Sequence, residues 1–113
     1  MAVFNVMFPV LPGKEDAARA WIEEFSGPRR AGFDELQRRS EIERETLTLL
    51  KTPMGSFLLV WFDGDIEKAF GALLSGDDEF TVWHREQLAD VTGLDLSQPD
   101  EGPPPELLLD WRG

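Results

Sequence analysis

The chain of 113 residues has the length of one domain, and we expect that single domain to span residues 1–113. Hydrophobic residues make up 42% of the chain, which suffices for a core and excludes a disordered protein. The sequence has no cysteine, so disulfides, thiolate metal sites and cysteine nucleophiles are excluded, and the expected location is cytoplasmic. The net charge of −11 repels phosphate and anionic lipid, so we expect neither a nucleic acid nor a membrane as partner.

The first half of the chain predicts a strand followed by helix. Apolar residues alternate from Ala2 to Val10 and leave Asn5 on the face opposite the phenylalanines, which is typical of a strand. After the turn at Pro12 and Gly13, an apolar stripe with helical spacing predicts an amphipathic helix over Lys14–Phe25. A weaker helical stretch is predicted to continue to about Arg39.

The second half predicts a hairpin, two helices and a final strand. Glu41–Lys51 and Ser56–Phe62 are rich in strand-forming residues, and the segment between them has Pro and Gly where a reversing turn needs them. Apolar stripes predict one helix from Ile66 and another that opens at Asp77 and closes before Gly93. The proline-rich stretch 95–105 is expected to connect to a last strand over residues 107–111.

This order of elements predicts an α+β fold, a ferredoxin-like β-α-β-β-α-β sandwich with a four-stranded antiparallel sheet and its helices on one face. The other face of that sheet is too apolar for water, since Val3 and Met7 lie on it and the third strand is apolar on both sides. A second copy of the chain is the simplest cover for such a face. The sequence therefore predicts a homodimer joined sheet to sheet.

This layout, together with the run from Trp61 to His84 (WFDGDIEKAFGALLSGDDEFTVWH), resembles the dimeric α/β-barrel superfamily of antibiotic-biosynthesis and haem-degrading monooxygenases. Pro12-Gly13-Lys14 and His84-Arg85-Glu86 resemble more closely a small bacterial family of that superfamily without an assigned function. The resemblance implies a dimeric α/β barrel with a cavity in each protomer, lined by the sheet face opposite the helices.

The resemblance also implies two catalytic residues, Asn5 on the first strand and His84 on the last helix. Haem-degrading members have a tryptophan where this chain has Leu73, so we expect no haem. We also expect no other cofactor and no metal, because a lone histidine is a poor ligand set. Burial of that histidine without an acidic partner predicts a neutral imidazole at pH 7. The alternative interpretation of both residues is structural: a packed, hydrogen-bonded histidine and a buried amide.

Further ligand-binding candidates follow from strand alternation and from the tryptophans. If Leu47 and Leu49 face the helices, then Arg44, Thr46 and Thr48 lie on the face of Asn5. Trp61 or Trp83 would pack against a ligand. Surface ion pairing with neighbouring glutamates is the competing interpretation of the arginine.

Two charged clusters allow a binding and a structural interpretation. An arginine cluster, formed by Arg29, Arg30, Arg38 and Arg39, can bind an anion or balance nearby acids on a solvated helix face. The acidic groups 63–65 and 77–79 lack the spacing of a calcium loop, so helix capping is their expected role.

Two functions follow from these observations. The first is a small-ligand protein, a cofactor-independent monooxygenase or isomerase that acts on an apolar molecule. Asn5 would orient this molecule, and His84 would be the acid or base. The second is a non-catalytic structural or interaction homodimer in which side chains fill the same space. An open cavity with converging polar groups distinguishes the first from the second.

Overall fold

The computed structural model describes residues 3–96 and 105–113. In chain order these residues form β1 (Val3–Val10), α1 (Glu15–Glu23), α2 (Arg30–Ser40), β2 (Arg44–Thr52), β3 (Gly55–Asp63), α3 (Ile66–Ser75) and α4 (Glu79–Thr92). The start of the predicted first strand at Ala2 and most of the predicted 95–105 connector lie outside the described residues.

The strands form one antiparallel sheet in the order β1-β3-β2. The predicted hairpin is confirmed, because β2 pairs with β3 from Arg44 opposite Asp63 to Thr52 opposite Gly55. Gly55 has a φ of +129°, a backbone conformation open to glycine and strained for other residues, so the turn depends on it. The Thr52 hydroxyl donates to the carbonyl of Gly55 and accepts from the amide of Met54, which closes the turn.

The predicted four-stranded sheet is wrong, since the described residues form three strands and 107–111 is not one of them. Leu107, Leu109 and Trp111 are exposed instead. Three consecutive leucines are typical of a strand that is covered on both faces. Among the described residues, the helices cover one face of the sheet only, so a three-leucine segment has no surface on the other side to pack against. The α+β class itself is consistent with the structure.

Strand alternation separates a core face from an open face, as the sequence predicts. The four helices pack over the face that contains Leu47, Leu49, Leu58 and Val60. On the open face, side chains from the three strands lie in cross-strand rows set by the register: Asn5, Trp61 and Thr46; Met7, Leu59 and Thr48; Pro9, Phe57 and Leu50. Met7 remains 55% exposed there and Leu50 42%.

Capping chemistry sets the starts of α3 and α4 and the end of α4. Asp65 accepts hydrogen bonds from the amides of Glu67 and Lys68 at the start of α3, and Asp78 accepts from the amide of Thr81 at the start of α4. Gly93 ends α4 with a φ of +72°, the left-handed conformation that glycine adopts without strain. The predicted capping role of the two acidic groups is confirmed at these two aspartates.

Candidate ligand-binding site

A cavity of about 90 Å³ lies between the helical layer and the core face of the sheet, and it is partly open to solvent. Its walls are mostly aromatic and aliphatic side chains, supplied by all four helices and all three strands. Four polar residues also line it: Gln37, Ser40, Glu45 and His84. An apolar enclosure with a few polar groups is the usual form of a small-molecule site.

His84 reaches this cavity from α4, where it lies one helical turn after Phe80 and one before Leu88. The indole Nε1–H of Trp21 donates a hydrogen bond of 3.1 Å to its Nδ1. The Phe25 ring meets the imidazole edge to face at 5.1 Å, and the Phe80 ring stacks on it at 5.7 Å. The imidazole is therefore held in one orientation by one hydrogen bond and an aromatic surround.

The same hydrogen bond fixes the tautomer of His84. Because Nδ1 accepts from Trp21, the neutral ring has its proton on Nε2 and can donate from there. Burial lowers the pKa of His84 to about 4, and the positive charge of Arg85 adds to this effect. The expectation of a neutral imidazole at pH 7 is thus confirmed, with the ring placed as a hydrogen-bond donor.

Glu45 is a second titratable group in the cavity wall, and it comes from the edge strand β2. Burial raises the pKa of its carboxyl, while the hydrogen bond from Gln37 acts in the opposite direction. That bond joins Gln37 Nε2 to Glu45 Oε1 at 2.7 Å. A partly buried carboxyl beside apolar walls gives the cavity a polar group at its β2 side.

The structure divides the residues proposed from sequence between the two faces of the sheet. Asn5, Thr46, Thr48 and Trp61 line a groove on the open face, together with Pro105. Arg44 lies at one end of that face, with its guanidinium 5.6 Å from the Trp61 ring. Leu47 and Leu49 pack against the core, as the alternation requires.

His84 and Trp83 lie in the helical layer on the other side of the sheet, so the structure does not bring them together with Asn5. Trp83 is partly buried beside Phe80, and the Arg29 guanidinium sits 4.1 Å from its ring. Trp83 does not line the cavity.

The arginine cluster balances acids, which is one of its two predicted roles. Each of its members is paired with a carboxylate: Arg29 with Glu79, Arg30 with Asp34, Arg38 with Glu35, and Arg39 with both Glu35 and Asp78. Some of these pairs lie within α2, and the pairs with Asp78 and Glu79 link α2 to the start of α4. Within the described residues, no three His, Asp or Glu side chains gather as a metal site would require.

Sequence reasoning missed Trp21, Gln37 and Glu45 as site residues. Trp21 lies on the apolar stripe of α1, where it is indistinguishable from a core residue until its indole N–H is placed. Glu45 carried a usable signal, because alternation with Leu47 and Leu49 puts this carboxyl on the core face. A charged residue at an inward position of a strand is a candidate functional group.

Comparison of the chain with protein-family models, curated proteins and solved structures found no match. None of the described helices combines the length and apolar character needed to cross a bilayer.

Proposed function

We propose that this protein binds a small, largely apolar molecule in the cavity beside His84. The cavity itself is the observation that carries the proposal. An apolar protein cavity of about 150 Å³ accommodates benzene. The cavity found here, about 90 Å³, is smaller but partly open to solvent, so a single ring or a short branched chain is the largest ligand we expect it to take.

The polar groups in the wall favour a ligand with one hydrogen-bonding substituent. Neutral His84 can donate from Nε2 to a hydroxyl or carbonyl oxygen, since its other ring nitrogen is engaged by Trp21. Glu45 offers a second hydrogen-bonding group at the β2 side. A phenol or a small aromatic carbonyl compound has the matching chemistry.

Binding is better supported than turnover as a monooxygenase or isomerase. A general base needs a free lone pair and a pKa near the working pH. The pKa of His84 is lowered to about 4, and its lone pair accepts from Trp21. The residue acts in this proposal as an orienting donor.

Ligand linkage tests the binding proposal, with phenol as the probe. A molecule that binds only the folded state raises the free energy of unfolding by an amount that grows with its concentration. We expect millimolar phenol to stabilise the protein against urea. Ala69→Leu, which fills space in the cavity wall, should abolish this stabilisation. Equal stabilisation of both proteins would contradict the proposal.

A homodimer joined through the open sheet face is a second proposal, and it is compatible with the first. Its support is the exposure of Met7 and Leu50 on a face that the chain's own helices do not cover. Sedimentation velocity at micromolar concentration should give twice the 12.8 kDa of the chain. A monomer, or a dimer unaffected by Met7→Lys, would argue against this interface.

A further inference from the structure

The centre of the open sheet face carries no charge, although the chain is strongly acidic. Its three central rows begin at Asn5, Met7 and Pro9 on β1 and continue across β3 to β2. None of the nine side chains in these rows is ionisable. The chain as a whole has 22 acidic residues against 11 basic ones. Two copies of such a chain repel one another over most orientations. This face lets them approach without placing like charges directly opposite one another.

The sheet face alone is small for a stable interface. Eight residues at about 3.3 Å each and three strands at about 4.8 Å give a footprint on the order of 400 Å². A standard protein–protein interface buries about 800 Å² on each partner. A homodimer through this face therefore needs additional apolar surface from elsewhere in the chain.

The C-terminal tail, residues 105–113, presents that additional surface. Leu108 is 85% exposed and Trp111 is 78% exposed, and Leu107 and Leu109 are exposed as well. Pro105 nevertheless lines the groove on the open face beside Trp61 and Met7. The tail thus begins at the sheet face, but its apolar side chains do not become buried against the chain's own surface.

We propose that the tails are exchanged in the homodimer, so that the leucines and Trp111 of each tail pack on the open sheet face of the other protomer. This inference rests on the proposed homodimer. Exchange gives the continuous Leu107–Leu109 run apolar surroundings that a single chain does not offer. Trp111 would be the main anchor, since a buried tryptophan covers about 150–250 Å².

A mixed-label experiment tests the exchange, and the absence of native cysteine makes it direct. A spin label is attached to Arg112→Cys in protein without isotopes, and this protein is added in several-fold excess to isotope-labelled wild-type chain. Any paramagnetic broadening in the labelled chain is then intermolecular. We expect the amides of Asn5, Thr48 and Leu59 to lose most of their intensity. The same label at Ala89→Cys, on the exposed side of α4, should leave these amides much less affected.

The other outcomes are distinguishable. A second sample carries the spin label and the isotopes on the same chain. If sedimentation shows a dimer but these amides keep their intensity in the mixed sample, or broaden only in the second sample, the exchange is overturned and the dimer stands. If the full chain is a monomer at the concentration used, the homodimer falls and the exchange with it. As an independent readout, Trp111→Ala should raise the dimer Kd by about tenfold. Arg112→Ala on the same tail should leave it unchanged, and equal effects of the two variants would overturn the proposed anchor.

Discussion

The indole Nε1–H of Trp21 donates to Nδ1 of His84 across 3.1 Å, joining two side chains that lie 63 positions apart in the sequence. The bond connects α1 to α4 inside the helical layer. It also fixes which imidazole nitrogen carries the proton, and hence what the ring can offer to a molecule in the cavity. The energetics of the site depend on this contact.

Trp21→Phe tests that contact by removing the donor while keeping an aromatic ring. A buried acceptor that loses its partner costs about 1–3 kcal/mol. We expect urea denaturation to show a loss of that size, and nitrogen NMR of His84 to show a mixture of the two neutral tautomers. Trp83→Phe is the matched control, because that indole makes no hydrogen bond to the imidazole. Equal losses in the two variants, with one tautomer retained in both, would contradict the assignment.

The lowered pKa of His84 makes stability dependent on pH. In the unfolded chain the ring gains a proton near pH 6.5, whereas in the folded protein it stays neutral down to about 4. The contribution of His84 to the free energy of unfolding is therefore complete above pH 6.5 and is lost as the pH falls towards 4. A shift from 6.5 to about 4 corresponds to a loss of about 3 kcal/mol.

Two measurements check this pH dependence. Proton NMR of the single histidine should give a midpoint near 4 in the folded protein. Urea denaturation of wild type and His84→Gln should be compared from pH 7 to pH 4. Relative to the variant, the wild type should lose about 3 kcal/mol of unfolding free energy over this range. A midpoint near 6.5 with no change in that difference would show that the ring is solvated.

Glu45→Gln should stabilise the protein at high pH. Burial raises the pKa of Glu45. The contribution of this carboxyl to the free energy of unfolding is therefore favourable at low pH and is lost as the pH rises through the folded-state pKa. The amide substitution removes that loss and keeps an oxygen to accept from Gln37. Urea denaturation at pH 5 and pH 8 measures the effect. Glu43→Gln, an exposed neighbour, serves as control, and identical pH profiles for both variants would rule out a buried role for Glu45.

Asp78→Ala should destabilise α4 by about 1–2 kcal/mol, since the residue is the N-cap and also accepts from Arg39 at 2.9 Å. Burial acts to raise the pKa of Asp78, but the hydrogen bonds from Thr81 and the Arg39 guanidinium together lower it to about 2. Thermal unfolding should detect the loss. Asp77→Ala removes an equal charge from an exposed position and should cost much less. A cost as large for Asp77 would mean that charge, rather than capping, stabilises the helix start.

Local patterns determine most of the elements, which is why they were predictable. The alternation through β1 and the hairpin at Gly55 depend on neighbouring residues, as do the caps at Asp65 and Asp78. The fourth strand was wrong because strand propensity in residues 107–111 needs a surface to pair with and to pack against. Propensity alone does not show whether one chain supplies that surface.

The site was harder to predict than the fold. The resemblance implies a functional role for His84, the single histidine of the chain, and the structure shows it in a cavity wall. Alternation correctly predicts that Asn5 lies on the face away from the helices, but the resemblance groups Asn5 with His84, and the sheet lies between the two. The face of a strand residue is a local property, whereas the meeting of two residues in one site depends on the whole fold. The Trp21 contact spans 63 positions and has no local signature.

Chemical-shift mapping with phenol determines whether a small ring binds beside His84. We expect the His84 ring signals, the Trp21 indole N–H and the amides of Leu47 and Val60 to shift together and saturably, and Ala69→Leu to abolish those shifts. Shifts confined to Met7, Trp61 and other open-face residues, or none at millimolar phenol, would show that the cavity beside His84 does not bind the ring.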